Sequence, residues 1–316
     1  MRAAVLAAPR RVELVEVPLP RPGPGQVRVR IEGCGLCGSN VPSYEGRDWF
    51  SYPLAPGAPG HEGWGVVEAL GDGVRGLGEG DRVAALGGAA FAEYEVVDAA
   101  TVVRLPSALD GLPFPGEPLG CAVNVFRRSG VAPGQVVAVV GVGFLGAVIA
   151  ALAARAGARV VAVGRRAFAL DVARRMGAAE AVELGEAGAT LERVKALAGG
   201  PVDVAIEAVG LQEPLDLAGE LVRKRGRLVI AGYHQDGRRS VNMQSWNWRG
   251  IDVVNAHERD PAVYVEGMRL AVEAVASGRL DPRPLLTHPF PLDALGGAFE
   301  AMRGRPQGFM KAWVEP

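Results

Sequence analysis

Two textures follow one another along the chain. In the first stretch, apolar positions come in short runs: RAAVLAA, RVELVEV, QVRVRIEG, GWGVVEALG, DRVAAL, AEYEVV and TVVRLP. They are rich in β-branched residues and are separated by turn clusters such as Arg21-Pro-Gly-Pro-Gly-Gln26. That pattern predicts short strands packed as a sandwich or barrel. From residue 136 the period changes. Strand-like runs at 136–140, 159–163, 202–206, 227–231 and 251–254 alternate with helical stretches at 167–176, 191–198 and 213–222. Alternation of this kind predicts a doubly wound parallel sheet with right-handed crossovers. After Tyr264 come an amphipathic helix, the run LLTHPFPL, and a final helix and strand. The chain is therefore expected to return to its first domain. The expected division is 1–121 with 267–316 as one domain and 122–266 as the other.

Residues 136–154 carry no charge, and the run approaches the ~20 residues needed to span a bilayer. Its interior argues against a span. VVAVV reads as a buried strand, Gly141-Val-Gly143-Phe144-Leu145-Gly146 as a turn, and AVIAALAARAG as a helix. In a strand–turn–helix context, G-x-G-x-x-G has a physical purpose. The first glycine makes the tight turn, the second lets a pyrophosphate approach the backbone, and the third lets helix and strand pack closely. The helix that opens at Phe144 and Leu145 offers free N–H groups to the anion. The next strand ends in Gly164-Arg165-Arg166, and no carboxylate follows until Asp171, already inside the predicted helix. A carboxylate there would bind a ribose 2′-hydroxyl. A small residue beside two guanidiniums instead suits a 2′-phosphate. NADP(H) is expected over NAD(H).

Composition narrows the class. The 316 residues suggest about two domains. Hydrophobic residues at 49% and charged residues at 22% are those of an ordinary globular protein. A net charge of −1 argues against a sequence-independent grip on nucleic acid. Three cysteines exclude a disulfide framework and a four-cysteine zinc site in one chain. The N-terminal apolar stretch meets Arg10 and Arg11 too soon for a signal-peptide core. A cytoplasmic protein without membrane attachment is expected.

The candidate chemistry lies in three motifs: Cys34-Gly-Leu-Cys37-Gly-Ser39-Asn40, Gly60-His61-Glu62-Gly63, and Glu117-Pro-Leu-Gly-Cys121. A catalytic zinc needs about three S, N or O ligands and one open position. Cys37, His61 and one of Glu62, Glu117 or Cys121 satisfy that requirement. Cys34 has no second CxxC to pair with and reads as a buried apolar thiol.

CGLCGSN, GHEGWGVV, EPLGCAV, GVGFLG and LLTHPF, in this order and over the whole chain, resemble the medium-chain dehydrogenase/reductase superfamily, in its zinc-dependent alcohol, polyol and threonine dehydrogenase branch. The resemblance implies a partly open β-barrel catalytic domain and a Rossmann domain. It implies hydride exchange between a nicotinamide and a small alcohol, polyol or carbonyl compound, in a homodimer or homotetramer. Carried over by motif, Cys37 and His61 match zinc ligands, and Glu62 a carboxylate on or near the metal. Glu117 matches the acidic residue of the polyol branch, and Cys121 the third ligand of alcohol dehydrogenases. Ser39 would take the alcohol proton, and His288 in LLTHPF reads as structural.

Three departures stand out. The cysteine-rich lobe for a structural zinc is missing, ALGGAA running almost directly into Phe91-Ala92-Glu93-Tyr94. One catalytic zinc and no structural zinc are thus expected. Asn40 stands where Asp is usual, and Pro42 where a proton-relaying His is common. His257, just after the last predicted strand, is either a contributor to the site or a loop or interface residue. Trp246 and Trp248 are read as aromatic packing of a loop. Two other functions stay open: a zinc-free NADPH-dependent quinone or enone reductase, and a non-catalytic NADPH-binding sensor.

Overall fold

A computed structural model describes all 316 residues, Met1–Pro316. The chain divides into two compact units, Met1–Gly120 with Asp260–Pro316, and Cys121–Arg259.

In chain order, the first passage holds β1 (Arg2–Ala8), β2 (Arg11–Glu16), β3 (Gln26–Gly35), α1 (Val41–Glu45), β4 (Glu62–Leu70), β5 (Arg82–Ala85), β6 (Tyr94–Asp98) and β7 (Val102–Arg104). Helix α2 (Gly116–Ser129) leads into the second unit. That unit holds β8 (Val136–Val140), α3 (Phe144–Arg155), β9 (Arg159–Gly164), α4 (Ala167–Arg175), β10 (Glu180–Glu183), α5 (Ala187–Ala198), β11 (Val202–Glu207), α6 (Gln212–Leu221), β12 (Val222–Ile230), α7 (Met243–Arg249) and β13 (Asp252–Asn255). The chain then returns with α8 (Pro261–Ala276), β14 (Leu286–Pro291), α9 (Leu295–Gly304) and β15 (Lys311–Glu315).

The first unit is built on a mostly antiparallel sheet ordered β14-β15-β3-β4-β5-β7, with β6 also pairing β3 and a separate β1-β2 ribbon. The sheet stays open and does not close into a barrel. Alternation explains the long strand β3: Val27, Val29 and Ile31 point into a core shared with Leu6, Val67, Phe91 and Phe299, while Arg30 faces water. Two glycines of β3 make room for its partner. A Cβ on Gly33 would lie 2.2 Å from the Trp64 ring, and one on Gly35 2.0 Å from Glu62 Oε2.

The segment between β5 and β6, where the sequence carries no cysteine-rich lobe, is short and pinned. Glu95, buried on β6, accepts from Gly88 N at 2.7 Å and Ala89 N at 2.6 Å. Burial pushes its carboxyl pKa up, and these two bonds oppose the rise.

The second unit is a parallel sheet ordered β10-β9-β8-β11-β12-β13. This is the doubly wound order of the Rossmann fold, in which the sequence reverses direction beside the first strand. Val137, Val139 and Val140 of β8, Val161 and Val163 of β9, and Ala205 of β11 are all buried, as strands covered on both faces require. The uncharged 136–154 run is strand, turn and helix, and no helix is long and apolar enough to cross a membrane. Two local expectations differ. β10 has only Val182 buried, too little apolar signal to read as a strand. Strand β12 begins at Val222, where a helix end was expected, and its register shifts between Val202 and Val204 of β11.

Candidate metal centre and nucleotide loop

The β3–β4 ladder ends with Gly35 opposite Glu62. Cys37 follows β3 and His61 precedes β4, so the two arrive at the same end of the ladder. The ligand atoms of Cys37, His61 and Glu62 lie within 4.8 Å of one another. Asn40 ties the group together. Its Oδ1 accepts from Cys37 N at 2.8 Å and its Nδ2 donates to Pro59 O at 3.0 Å. His61 Nδ1 also lies 3.0 Å from Pro59 O. With that nitrogen donating to the carbonyl, Nε2 is left as the ligand atom. Burial disfavours charge on His61. The hydrogen bond and charge of Cys37, with Glu117 and Glu62, outweigh it and push its pKa up to about 10. Thiolate, imidazole and carboxylate form a donor set that suits zinc.

Glu62 is fully buried and already paired. Lys311 Nζ donates to its Oε1 at 2.7 Å and lies 2.5 Å from Oε2. Strand β15 brings Lys311 there by pairing Trp313 with Gly35 of β3. Sequence reading missed Lys311. Its only signal is a charge opening the apolar run KAWV.

Glu117 is buried in the first turn of α2 and stands outside the three-residue group. Burial pushes its pKa up, His61 opposes this, and the Tyr264 hydroxyl hydrogen-bonds it. Cys121 lies one turn further along α2, in the second unit, half-buried and unbridged. Ser39 is half-buried in the 3-10 turn Gly38–Asn40. Pro42 sits in the first turn of α1, where a missing N–H costs nothing. Cys34 is buried, and burial holds its thiol pKa well up.

In the second unit, Gly141 has φ +104 and its N–H reaches Val163 O at 2.8 Å. A Cβ on Gly146 would lie 1.9 Å from Gly141 O, whereas one on Gly143 would meet nothing within 4 Å. Two glycines are thus required by the fold itself, and the middle one leaves open space. Phe144 is buried and Leu145 half-buried at the start of α3. Gly164 ends β9, Arg165 is exposed, and Arg166 is the N-cap of α4. Asp171 lies inside α4. His288 packs against Phe309 with the rings tilted 48° to each other, and its Nδ1 lies 2.8 Å from Thr287 Oγ1. Trp246 is buried, whereas Trp248 is 84% exposed.

An open antiparallel sheet carrying a Cys/His/Glu group, together with a Rossmann unit carrying an intact glycine turn, defines a dehydrogenase-like two-unit architecture. Comparison with known proteins agrees. The alcohol dehydrogenase GroES-like domain family matches residues 23–107, and the zinc-binding dehydrogenase family matches residues 144–273. A 2-dehydro-3-deoxy-L-galactonate 5-dehydrogenase of Pseudoalteromonas atlantica is 27% identical, over 89% of each chain. An L-threonine 3-dehydrogenase of Idiomarina loihiensis is 26% identical, over 86% of this chain and 87% of its own. The crystal structure of a zinc-binding dehydrogenase from Sinorhizobium meliloti, bound to NADP, superposes with a TM-score of 0.88 at 26% identity, covering 100% of this chain and 99% of that one. The chain belongs to the zinc-dependent medium-chain dehydrogenase/reductase superfamily. The matching family models and the named relatives are those of dehydrogenases, oxidoreductases of CH–OH groups.

Proposed function

We propose that the protein exchanges hydride between NADP(H) and a small alcohol, polyol or carbonyl compound, with one zinc ion per chain. The observation that carries this reading is the convergence of Cys37, His61 and Glu62 with His61 Nδ1 already committed to a carbonyl. Cys37 and His61 would hold the metal through Sγ and Nε2. Glu62 is balanced by Lys311, so Glu117 and Cys121 both stand as candidates for the third position. Bound zinc would act as a Lewis acid that stabilises the alkoxide character of the reacting oxygen. Ser39 is the acceptor for the substrate hydroxyl proton. Pro42 cannot pass that proton on, so the path ends in water or another group.

The glycine turn would take the pyrophosphate, and Arg165 with Arg166 the 2′-phosphate. No carboxylate closes β9, and the S. meliloti relative is described with NADP bound. The relatives named for a sugar acid and for threonine differ in substrate, so the class proposed is a small hydroxylated molecule. A homodimer or homotetramer in the cytoplasm belongs to the same reading. Edge strand β13 with exposed Val253, and α7 with exposed Met243 and Trp248, offer apolar surface for a second copy.

The Lys311–Glu62 pair favours one second reading, a zinc-free NADPH-dependent quinone or enone reductase, because it neutralises the buried carboxylate without a metal. Elemental analysis decides between them. About one zinc per chain, lost with alcohol dehydrogenase activity in Cys37→Ser, supports the first. A metal-free protein that reduces enones sinks it. Comparing kcat/KM for NADPH and NADH, with Arg165→Ala beside the wild type, tests the cofactor.

A further inference from the structure

The amino edge of the parallel sheet, opposite the glycine turn, holds a cavity of about 110 Å³. Its walls include Gln135 just before β8, Asp203 of β11, Arg223, Arg225 and Arg227 of β12, and Asp252 of β13. These strands run parallel, so their first residues meet at this edge and their last residues at the other. A slip in the pairing builds the site. Between the pairs Val202–Val222 and Val204–Arg227, β11 advances from 202 to 204 while β12 advances from 222 to 227. The surplus on β12 loops out as Arg223-Lys224-Arg225-Gly226. Gly226 lets that loop lie against β11, since a Cβ there would come 2.8 Å from Asp203 O.

Donors line the cavity, and its carboxylates are already paired with cations. Asp203 Oδ1 accepts from Arg223 Nε at 2.7 Å and its Oδ2 from Val136 N at 2.8 Å. Gln135 Oε1 accepts from Ala132 N at 2.9 Å, which leaves its NH2 group to donate. Arg227 is held at the far end of its guanidinium. Nη1 donates to Ser129 O at 3.1 Å, and Nη2 stands 3.5 Å from Asp252 Oδ2. A Cβ on Gly130 would lie 2.2 Å from that Nη1, so the glycine makes room for it. Arg227 Nε, by contrast, is buried without a hydrogen-bond partner, an exception to the usual pairing that a bound acceptor would remove. The Arg225 guanidinium is exposed and meets no partner in the protein. Arg225 also takes φ +55, a conformation that glycine adopts without steric cost. Stability alone would favour glycine there, and a ligand for the guanidinium accounts for the strained arginine.

Three guanidiniums against two carboxylates leave the cavity net positive, with Lys224 beside it. An oxyanion offers only acceptors, and arginine forks match phosphate oxygens in pairs. A volume of about 110 Å³ suits one phosphate group and falls short of the space a nucleotide needs. We propose that this cavity is a phosphate site, filled by the free ion or by the phosphate of a small monoester. The inference is independent of the dinucleotide reading, which concerns the other edge of the sheet.

Titration calorimetry of the whole chain at low salt, with inorganic phosphate and with glucose 6-phosphate, tests it. The wild type should bind at least one of them with a Kd at or below about 1 mM. Arg225→Gly should raise that Kd about tenfold or more, the scale of a lost charge-assisted bond. Its melting temperature should hold or rise, because the strain at φ +55 is relieved. Arg165→Ala, at the opposite edge, should keep the binding. Glucose 6-phosphate binding at least as tightly as the free ion assigns the site to a monoester, and binding of inorganic phosphate alone assigns it to the ion. A wild type that binds neither up to about 10 mM overturns the proposal. An affinity unchanged in Arg225→Gly overturns it as well, whatever Arg165→Ala does.

Discussion

Asn40 uses both ends of its amide, accepting from Cys37 N and donating to Pro59 O, the carbonyl that also meets His61 Nδ1. An Asn40→Ala change removes both bonds and should lower zinc affinity about 10–100-fold, the usual cost of losing a partner that orients a ligand. Asn40→Asp keeps the acceptor and should lose less. Competition with a chromophoric chelator measures both, and equal affinities for all three proteins would refute the role. His61 adds a pH dependence. In the metal-free protein its pKa stands near 10, and a metal takes the neutral ring. Below that pKa the proton competes with zinc, so apparent affinity should climb about tenfold per pH unit through neutrality. An affinity flat between pH 6.5 and 8.5 would show that no such proton is displaced. Lys311 is the residue the sequence hid. Its bond to Glu62 spans 249 positions, and no local motif signals such a pairing, whereas Cys37, His61 and Glu62 each stand in a short motif. Lys311→Met leaves a buried carboxylate alone and should cost about 3–5 kcal/mol in urea unfolding. The double variant with Glu62→Gln should recover much of that loss.

The glycine turn after β8 separates the demands of fold and ligand. Gly146→Ala drives a Cβ to 1.9 Å from Gly141 O, so it should destabilise the protein and abolish dinucleotide binding together. Gly143 has φ −102 and open space around its Cα, so Gly143→Ala should leave the melting temperature within about a degree of wild type. Any loss of NADPH affinity in that variant then reports the approach of the ligand itself. A destabilised Gly143→Ala protein would contradict the geometry. This turn was readable from sequence because strand, glycines and helix are contiguous. β10 was not, since a strand at the sheet edge buries one side chain and carries no alternating signal. The start of β12 misled for a related reason: Arg223, Lys224 and Arg225 are exposed on strand backbone, and a run of charges after an apolar helix reads as that helix's end.

At the scale of the whole molecule, the change of hydrophobic period near residue 136 was enough to announce a β-rich unit followed by a parallel sheet, though not that the first unit's sheet stays open. Each has its own apolar core, one around Leu6, Phe91 and Phe299, the other around Val140, Val163 and Leu228. What the pattern could not show was how the first unit holds the short segment between β5 and β6, because Glu95 looks like any acidic residue on a half-exposed strand. Its carboxylate grips Gly88 N and Ala89 N directly, a task that needs no metal. This leads to a prediction about the protein as a whole. A chelator should remove about one zinc per chain and the dehydrogenase activity, while far-UV circular dichroism stays unchanged. Stability should fall only by the binding term, about 2.7 kcal/mol when free zinc had stood at 100 times its Kd. Glu95→Ala should behave in the opposite way, lowering the melting temperature with metal content preserved. Collapse of the dichroism signal on chelation would show that the metal, and not the buried carboxylate, holds the first unit together.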